Sequence, residues 1–304
     1  MSILLFGANG QLGRELLRSL PRVGDVVSAT RTGTLFDGRR CESADLSRPA
    51  ELRSVLDRSR PRIVVNAAAY TAVDRAEQES ATAFRVNAES PDVIARWCAA
   101  RGIPFIHYSS DYVFDGGKTD PYCEDDPTAP LGVYGASKRD GEDAIRAARG
   151  RHMIFRTSWV HSAHGSNFLR TMLRLAANGA DMKVVSDQVG SPTPAALVAE
   201  VTTRALHHPG EKSGTWHVAC AGQTSWHGFA EAILAEAKST GMLGKLPAVA
   251  PISSSSLPAS ARRPAWSVLD TSKLQRDFAE RLPDWKTGMR QTLSALRQVP
   301  DSRS

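Results

Sequence analysis

Residues 7–13, Gly7-Ala8-Asn9-Gly10-Gln11-Leu12-Gly13, constrain this chain more than any other segment, because of what stands on either side of them. Before them, residues 3–8 form an apolar, β-rich run; after them, residues 11–20 carry apolar side chains at helical spacing. Glycines at such a junction permit a tight turn, close approach of backbone to a ligand, and close helix–strand packing. The helix start then offers free N–H groups and a positive dipole end, which together suit a pyrophosphate. The spacing is GxxGxxG, one residue longer than GxGxxG. A glycine-rich turn alone is weak evidence, but strand, glycines and helix arrive here in the order that dinucleotide binding demands.

The rest of the first half continues the pattern. Strands are predicted at residues 25–30, 63–68, 104–109 and 153–157, with helices at 51–57, 81–100 and 134–148. The strand runs are continuously apolar rather than alternating, as expected where helices cover both faces of a parallel sheet. Pro91 predicts that the third helix begins afresh or kinks near residues 87–91. The implied fold class is α/β, a Rossmann-type doubly wound parallel sheet over residues 1–158. Residues 159–304 are expected to form mainly a smaller C-terminal substrate-binding lobe, with segments returning to the first domain. Helices are predicted there at 167–177, 195–206, 226–238 and 285–297, strands at 183–185 and 215–219, and a loop at 246–261.

A formal charge of +6, spread along the chain rather than gathered in a block, argues against nucleic acid and suits an anionic small molecule. No run approaches the ~20 apolar residues of a membrane span, and the N-terminus lacks the basic start of a signal peptide. Cys41, Cys98, Cys123 and Cys220 are widely spaced with no CxxC, so they read as reduced, mostly buried thiols of a cytoplasmic protein.

Choice of cofactor is read at the end of the second strand. An acid there binds the ribose 2′-OH of NADH, whereas an arginine accommodates the 2′-phosphate of NADPH. Here the strand leads into Arg31 with no acid, which favours NADPH and leaves NADH open. Asp45 and Leu46 are placed to meet the adenine, and Ala67, Ala68 and Ala69 give small side chains where backbone passes the dinucleotide.

Tyr134 and Lys138 stand at i and i+4 on one helix face. A phenol is a poor acid–base at neutral pH, and an ammonium beside it is expected to bring it closer to working range. The strand Phe105-Ile-His-Tyr-Ser-Ser110 ends in hydroxyls able to orient a carbonyl. YxxxK arises often by chance; following a glycine fingerprint and a serine-bearing strand end, it reads as a proton-delivery set. His107, His161, His164, His207 and His208 lack ligand spacing and are read as structural.

With these residues in view, the chain resembles the extended short-chain dehydrogenases/reductases, and within them the dTDP-4-dehydrorhamnose reductase family. The resemblance spans nearly the whole chain: residues 7–13, 66–70, 108–116, 134–142, 156–159, 167–168, 187–193, 263–264 and 269–270. It implies Ser110, where the family commonly has threonine, as the catalytic hydroxyl, with Tyr134 as proton donor and Lys138 as its tuner and ribose ligand. Asn9, Gly10, Gln11, Leu12 and Tyr134 are implied on the cofactor, with Gly7 and Gly13 shaping the turn. Asp111, Tyr112, Trp159 and Asn167 are implied on the nucleotide-sugar, and the residue 191–193 stretch beside them. Arg263 is a candidate for the diphosphate.

Some relatives resemble a metal-bridged dimer that uses a glutamate on the first helix and another just beyond a Pro-Thr step. Glu15 is present, read here as a helix-surface residue, but the second position falls at Ala196. A lone carboxylate is a poor hard-cation site, so no metal is expected and any homodimer is not metal-bridged. Two alternatives stand beside the reductase: an NAD-dependent nucleotide-sugar epimerase or dehydratase, and a non-catalytic regulatory subunit of a synthetase.

Overall fold

A computed structural model describes residues 1–208, 212–256 and 261–298. Its first half runs β1 (Ser2–Phe6), α1 (Gln11–Ser19), β2 (Asp25–Thr30), β3 (Glu42–Ser43), α2 (Pro49–Ser59), β4 (Ile63–Asn66), α3 (Val73–Ala76), α4 (Ser80–Phe84), α5 (Ser90–Ala99), β5 (Phe105–Ser110), α6 (Val133–Ala147) and β6 (His152–Thr157). The second half runs β7 (Val160–His161), α7 (Phe168–Ala177), β8 (Met182–Val185), β9 (Val189–Gly190), β10 (Thr193–Pro194), α8 (Ala195–His207), β11 (Gly214–His217), β12 (Thr224–Ser225), α9 (Trp226–Ser239), β13 (Val249–Ile252), α10 (Ser272–Phe278) and α11 (Trp285–Gln298).

Seven strands form one parallel sheet in the order β11-β6-β5-β4-β1-β2-β3. Alternate side chains of each strand go to opposite faces. Ile3, Leu5, Ile63, Val65, Ile106 and Phe155 pack with α1 and α8 residues such as Leu16 and Val198. Leu4, Phe6, Val64, Phe105 and Ile154 pack instead with Leu52, Ile94, Trp97 and Ile145 of α2, α5 and α6. Burial on both faces is why these strands read as continuous apolar runs. Each fully buried Leu, Ile or Phe in them contributes ~1.5–3 kcal/mol.

The order reverses between β1 and β4, and the crevice at their C-terminal ends is the place such a sheet offers a ligand. The helix near Pro91 runs on without a break: α4 passes through a π-helical turn at Arg85–Glu89 into α5, which has Pro91 in its first turn.

After β6 the chain builds a smaller lobe around Leu169, Met172, Phe229, Ile233, Trp285 and Leu293. It then returns: α8 lies against α1, β11 extends the main sheet beside β6, and α10 contacts β11. Residues 246–261, expected as a loop, contain β13, which pairs in parallel with β8, while residues 257–260 of that stretch lie outside the described residues. Of the four thiols, Cys98 and Cys220 are buried, Cys41 is partly covered and Cys123 is exposed, and all four are free. No helix among the described residues is long and apolar enough to cross a membrane.

Candidate active site

A cleft of about 1150 Å³ runs along the C-terminal ends of the central strands, between the sheet and the smaller lobe. One end is the glycine turn. Gly7 has φ +79°, and a Cβ there would fall 2.5 Å from Ala68 N, so this position must lack a side chain for β1 and β4 to lead out side by side. A Cβ on Gly13 would sit 2.1 Å from Gly7 O, so α1 can pack on the turn only through glycine. Gly10 differs: a Cβ there would meet nothing closer than 3.3 Å, because it faces the cleft. It is also the N-cap of α1 and supplies no side-chain cap, leaving first-turn N–H groups for a ligand. That bare cradle fits a dinucleotide pyrophosphate.

Asn9, Gln11, Leu12, Arg31, Asp45, Leu46, Ala67, Ala68 and Ala69 line the same end, and Gly13 lies behind it. The Asn9 side chain is committed to the loop after β2, donating to Thr34 O at 2.9 Å and accepting from Phe36 N–H at 2.9 Å. It therefore shapes the wall rather than reaching into it. Arg31 is exposed on the cleft rim, immediately after β2.

At the other end Ser110, Asp111, Tyr112, Tyr134, Lys138, Trp159 and Asn167 converge. Ser110 closes β5 and caps the short turn that follows, accepting from Tyr112 N–H at 3.1 Å. Its hydroxyl donates to Asp111 Oδ1 at 2.9 Å, and Ser158 Oγ donates to Asp111 Oδ2 at 3.0 Å. Burial nonetheless pushes the Asp111 carboxyl up to about 6, against the opposing hydrogen bonds of Ser267, Ser110 and Ser158. Tyr112 meets Tyr134 edge-on, with ring centroids 5.7 Å apart.

Tyr134 corrects one expectation. Its phenol is not drawn down towards neutrality; burial pushes it up to about 12, offset in part by a hydrogen bond with Ser110. The ammonium expected to lower it points elsewhere. Lys138 Nζ donates to Tyr108 O at 2.6 Å and lies 3.2 Å from His107 Nε2. Burial brings the lysine itself down to about 8, with Glu142 opposing.

The lobe supplies an aromatic wall that sequence reading missed in part. Trp159 follows β6 with φ +47°, a conformation costly for a non-glycine residue. Its indole stacks on Trp226 at 3.5 Å and 2°. Gly190 makes room for it, since a Cβ there would lie 2.5 Å from Trp159 Cε2. Trp226 and Thr157, both lining the cleft, were not among the expected residues, and the Thr157 hydroxyl is buried with no hydrogen-bond partner among the described residues. Only their strand and helix ends hinted at them.

Asn167 bridges the two halves. Its Nδ2 donates to Gln11 Oε1 at 2.8 Å and to Ser162 O at 2.8 Å, while its Oδ1 caps α7 by accepting from Arg170 N–H. Arg263 lines the cleft, but its guanidinium is held by Asp74 in a two-pronged pair. Glu15 is not the surface residue expected: it is buried, 3.5 Å from Arg18 and 3.9 Å from His164 Nε2, because the 161–164 turn lies over α1. Burial raises its carboxyl. Among the described residues no group of three or more His, Cys, Asp or Glu is placed to hold a metal ion.

A Rossmann-type sheet with a glycine cradle at one end of its cleft and a Ser–Tyr–Lys set at the other defines an oxidoreductase of the short-chain dehydrogenase/reductase class. Within that class the chain belongs to the dTDP-4-dehydrorhamnose reductase family. Residues 1–298 match the family model described as the RmlD substrate binding domain. The chain is 47% identical over 295 residues to the dTDP-4-dehydrorhamnose reductase of Burkholderia thailandensis, covering 94% of this chain and 96% of that one. It is 40% identical over 299 residues to the Escherichia coli K12 protein of the same name, covering 97% and 98%. The solved structure of dTDP-4-dehydrorhamnose reductase from Bacillus anthracis in complex with NADP superimposes with a TM-score of 0.87 at 31% identity, covering 97% and 99%.

Proposed function

We propose that this chain reduces the C4 keto group of dTDP-4-dehydro-6-deoxy-L-mannose, using NADPH, to give dTDP-L-rhamnose. The observation that carries the proposal is the convergence of Ser110, Tyr134 and Lys138 on one end of a cleft whose other end is the bare glycine cradle. Family membership supplies the substrate class. NADPH is favoured by Arg31 on the rim and by the NADP complex of the Bacillus anthracis relative.

A dinucleotide held at the Gly7–Gly13 cradle would bring the hydride that the C4 carbon needs. Everything else falls to the protein. Hydride arrival leaves negative charge on the C4 oxygen, and Tyr134 donates the proton that neutralises it. A phenol held at about 12 keeps that proton at neutral pH, as a donor must. Ser110 turns its hydroxyl from Asp111 to the same oxygen and so orients the carbonyl. Lys138 serves the nicotinamide ribose and restores charge balance beside the spent tyrosine. Trp159, stacked on Trp226, and Tyr112 supply apolar surface to the deoxysugar. Asn167 acts by holding the lobe against Gln11.

The proposed division of labour is a dinucleotide domain over residues 1–158 and a substrate lobe over much of 159–304, in a cytoplasmic protein whose self-association, where it occurs, uses no metal. The alternatives weaken on the same site. A regulatory subunit has no need of an intact Ser110, Tyr134 and Lys138. An epimerase retains tightly held NAD, so purified protein that carries bound NAD would contradict the reductase. The direct test is NADPH oxidation on the keto-sugar in the parent and in Tyr134→Phe.

A further inference from the structure

Below the cleft a line of buried polar groups runs from β4 through β5 to α6. Asn66 Oδ1 accepts from Ala68 N–H at 3.1 Å, which turns its Nδ2 towards His107 Nδ1 at 3.2 Å. With the amide reversed, an NH2 group would face an N–H, so the orientation is fixed by its neighbours. The amide donates, and His107 Nδ1 is therefore the ring nitrogen without a proton. His107 is buried, and burial, reinforced by Lys138, holds the imidazole well below its ordinary range. A neutral ring carries its one proton on Nε2.

Nε2 lies 3.2 Å from Lys138 Nζ. An Nε2–H donates along that line, and only a free amine has a lone pair to receive it. The amine keeps protons enough to donate to Tyr108 O. An ammonium would instead set two donors against each other. We infer that His107 is a positioning residue for Lys138 that stabilises its free-amine form in the unliganded site, so that keeping the ammonium proton is coupled to leaving His107 for the cofactor.

The other groups around Lys138 do not supply this constraint. Glu142, one turn along α6, favours the ammonium, but its carboxylate is bound at both oxygens by Arg156 of β6. Tyr134, one turn back, is neutral, as is Tyr112 beyond it; Asp111 is turned into Ser110 and Ser158. The lowered lysine accords with the proton count but is not needed for it.

This inference rests on the reductase reading only for its kinetic test. In the parent enzyme kcat/KM is expected to fall as pH rises through about 8, where Lys138 loses its proton in the free enzyme. In His107→Gln either end of the amide can face Nζ, so the constraint is lifted and the fall moves up by about one pH unit. A uniform loss of activity at every pH, with the fall unmoved, overturns the inference and leaves His107 a packing residue. Nitrogen-15 NMR of the unaltered, unliganded protein reads the same claim without a variant: the Nε2–H tautomer of His107 supports it, and the Nδ1–H tautomer overturns it. Failure to turn over the keto-sugar would sink the proposed function and leave the tautomer measurement intact.

Discussion

The Ser110 hydroxyl donates to Asp111 Oδ1 at 2.9 Å, so the group expected to hold the substrate carbonyl spends the unliganded state bound to a buried carboxylate. That carboxylate titrates at about 6 because burial outweighs three serine hydroxyls.

A pH dependence of stability follows. Below ~3.9, the carboxyl is protonated in both folded and unfolded chains. Between there and 6 the unfolded chain releases its proton while the folded protein keeps it, so stability falls across this window and levels off above it. The difference corresponds to ~3 kcal/mol at neutral pH. Asp111→Asn should remove this step, and urea denaturation from pH 4 to 7 reads it directly. Identical stability profiles in parent and variant would refute the assignment.

Gly190 and Trp159 give a second prediction. A methyl group at 190 would lie 2.5 Å from the indole, which is stacked on Trp226. Gly190→Ala should therefore cost ~1–3 kcal/mol of stability. Displacing the wall should also raise KM for the nucleotide-sugar more than it lowers kcat. Steady-state kinetics with saturating NADPH separates the two, and an unchanged KM would remove Trp159 from the substrate wall.

Arg31 sets the cofactor prediction. Arg31→Ala should weaken NADPH by about 10- to 100-fold, the worth of a charged hydrogen-bonded contact, while NADH affinity changes by about threefold or less. Isothermal titration with each cofactor measures both. Equal weakening of the two would mean that Arg31 does not read the 2′-phosphate.

Asn167 should affect cofactor and lobe together. Asn167→Ala removes a helix cap, costing ~1 kcal/mol, and breaks the bridge to Gln11. NADPH affinity should fall a few-fold along with the melting temperature. A variant that keeps its NADPH affinity and loses only sugar affinity would show instead that Asn167 touches the sugar directly.

What the sequence made legible follows from how local each signal is. The glycine turn, the strand-end Ser110 and the i, i+4 pair of Tyr134 and Lys138 are each written within a few residues, and the fold brings them to one cleft. The apolar runs of β1, β4, β5 and β6 announced a sheet covered on both faces. Long-range pairings were not legible. The strand Val249–Ile252 contains Pro251 and sits among serines and prolines; it becomes a strand by pairing with Met182–Val185. Glu15 has the spacing of a surface residue and is buried by a turn near residue 164. The partner of Lys138 proved to be His107, on a strand whose register beneath α6 no local pattern encodes. Trp226 gains its place only when α9 folds against the strained Trp159.

The central claim is that Tyr134 delivers the proton in an NADPH-dependent reduction of the keto-sugar. The most direct measurement is the loss of NADPH absorbance with dTDP-4-dehydro-6-deoxy-L-mannose generated in situ, for the parent and for Tyr134→Phe. Turnover in the parent, with a fall of about 10²-fold or more in kcat for the variant while NADPH binding persists, is the predicted result. Retained turnover in Tyr134→Phe, or none in a parent protein that binds NADPH, would contradict it.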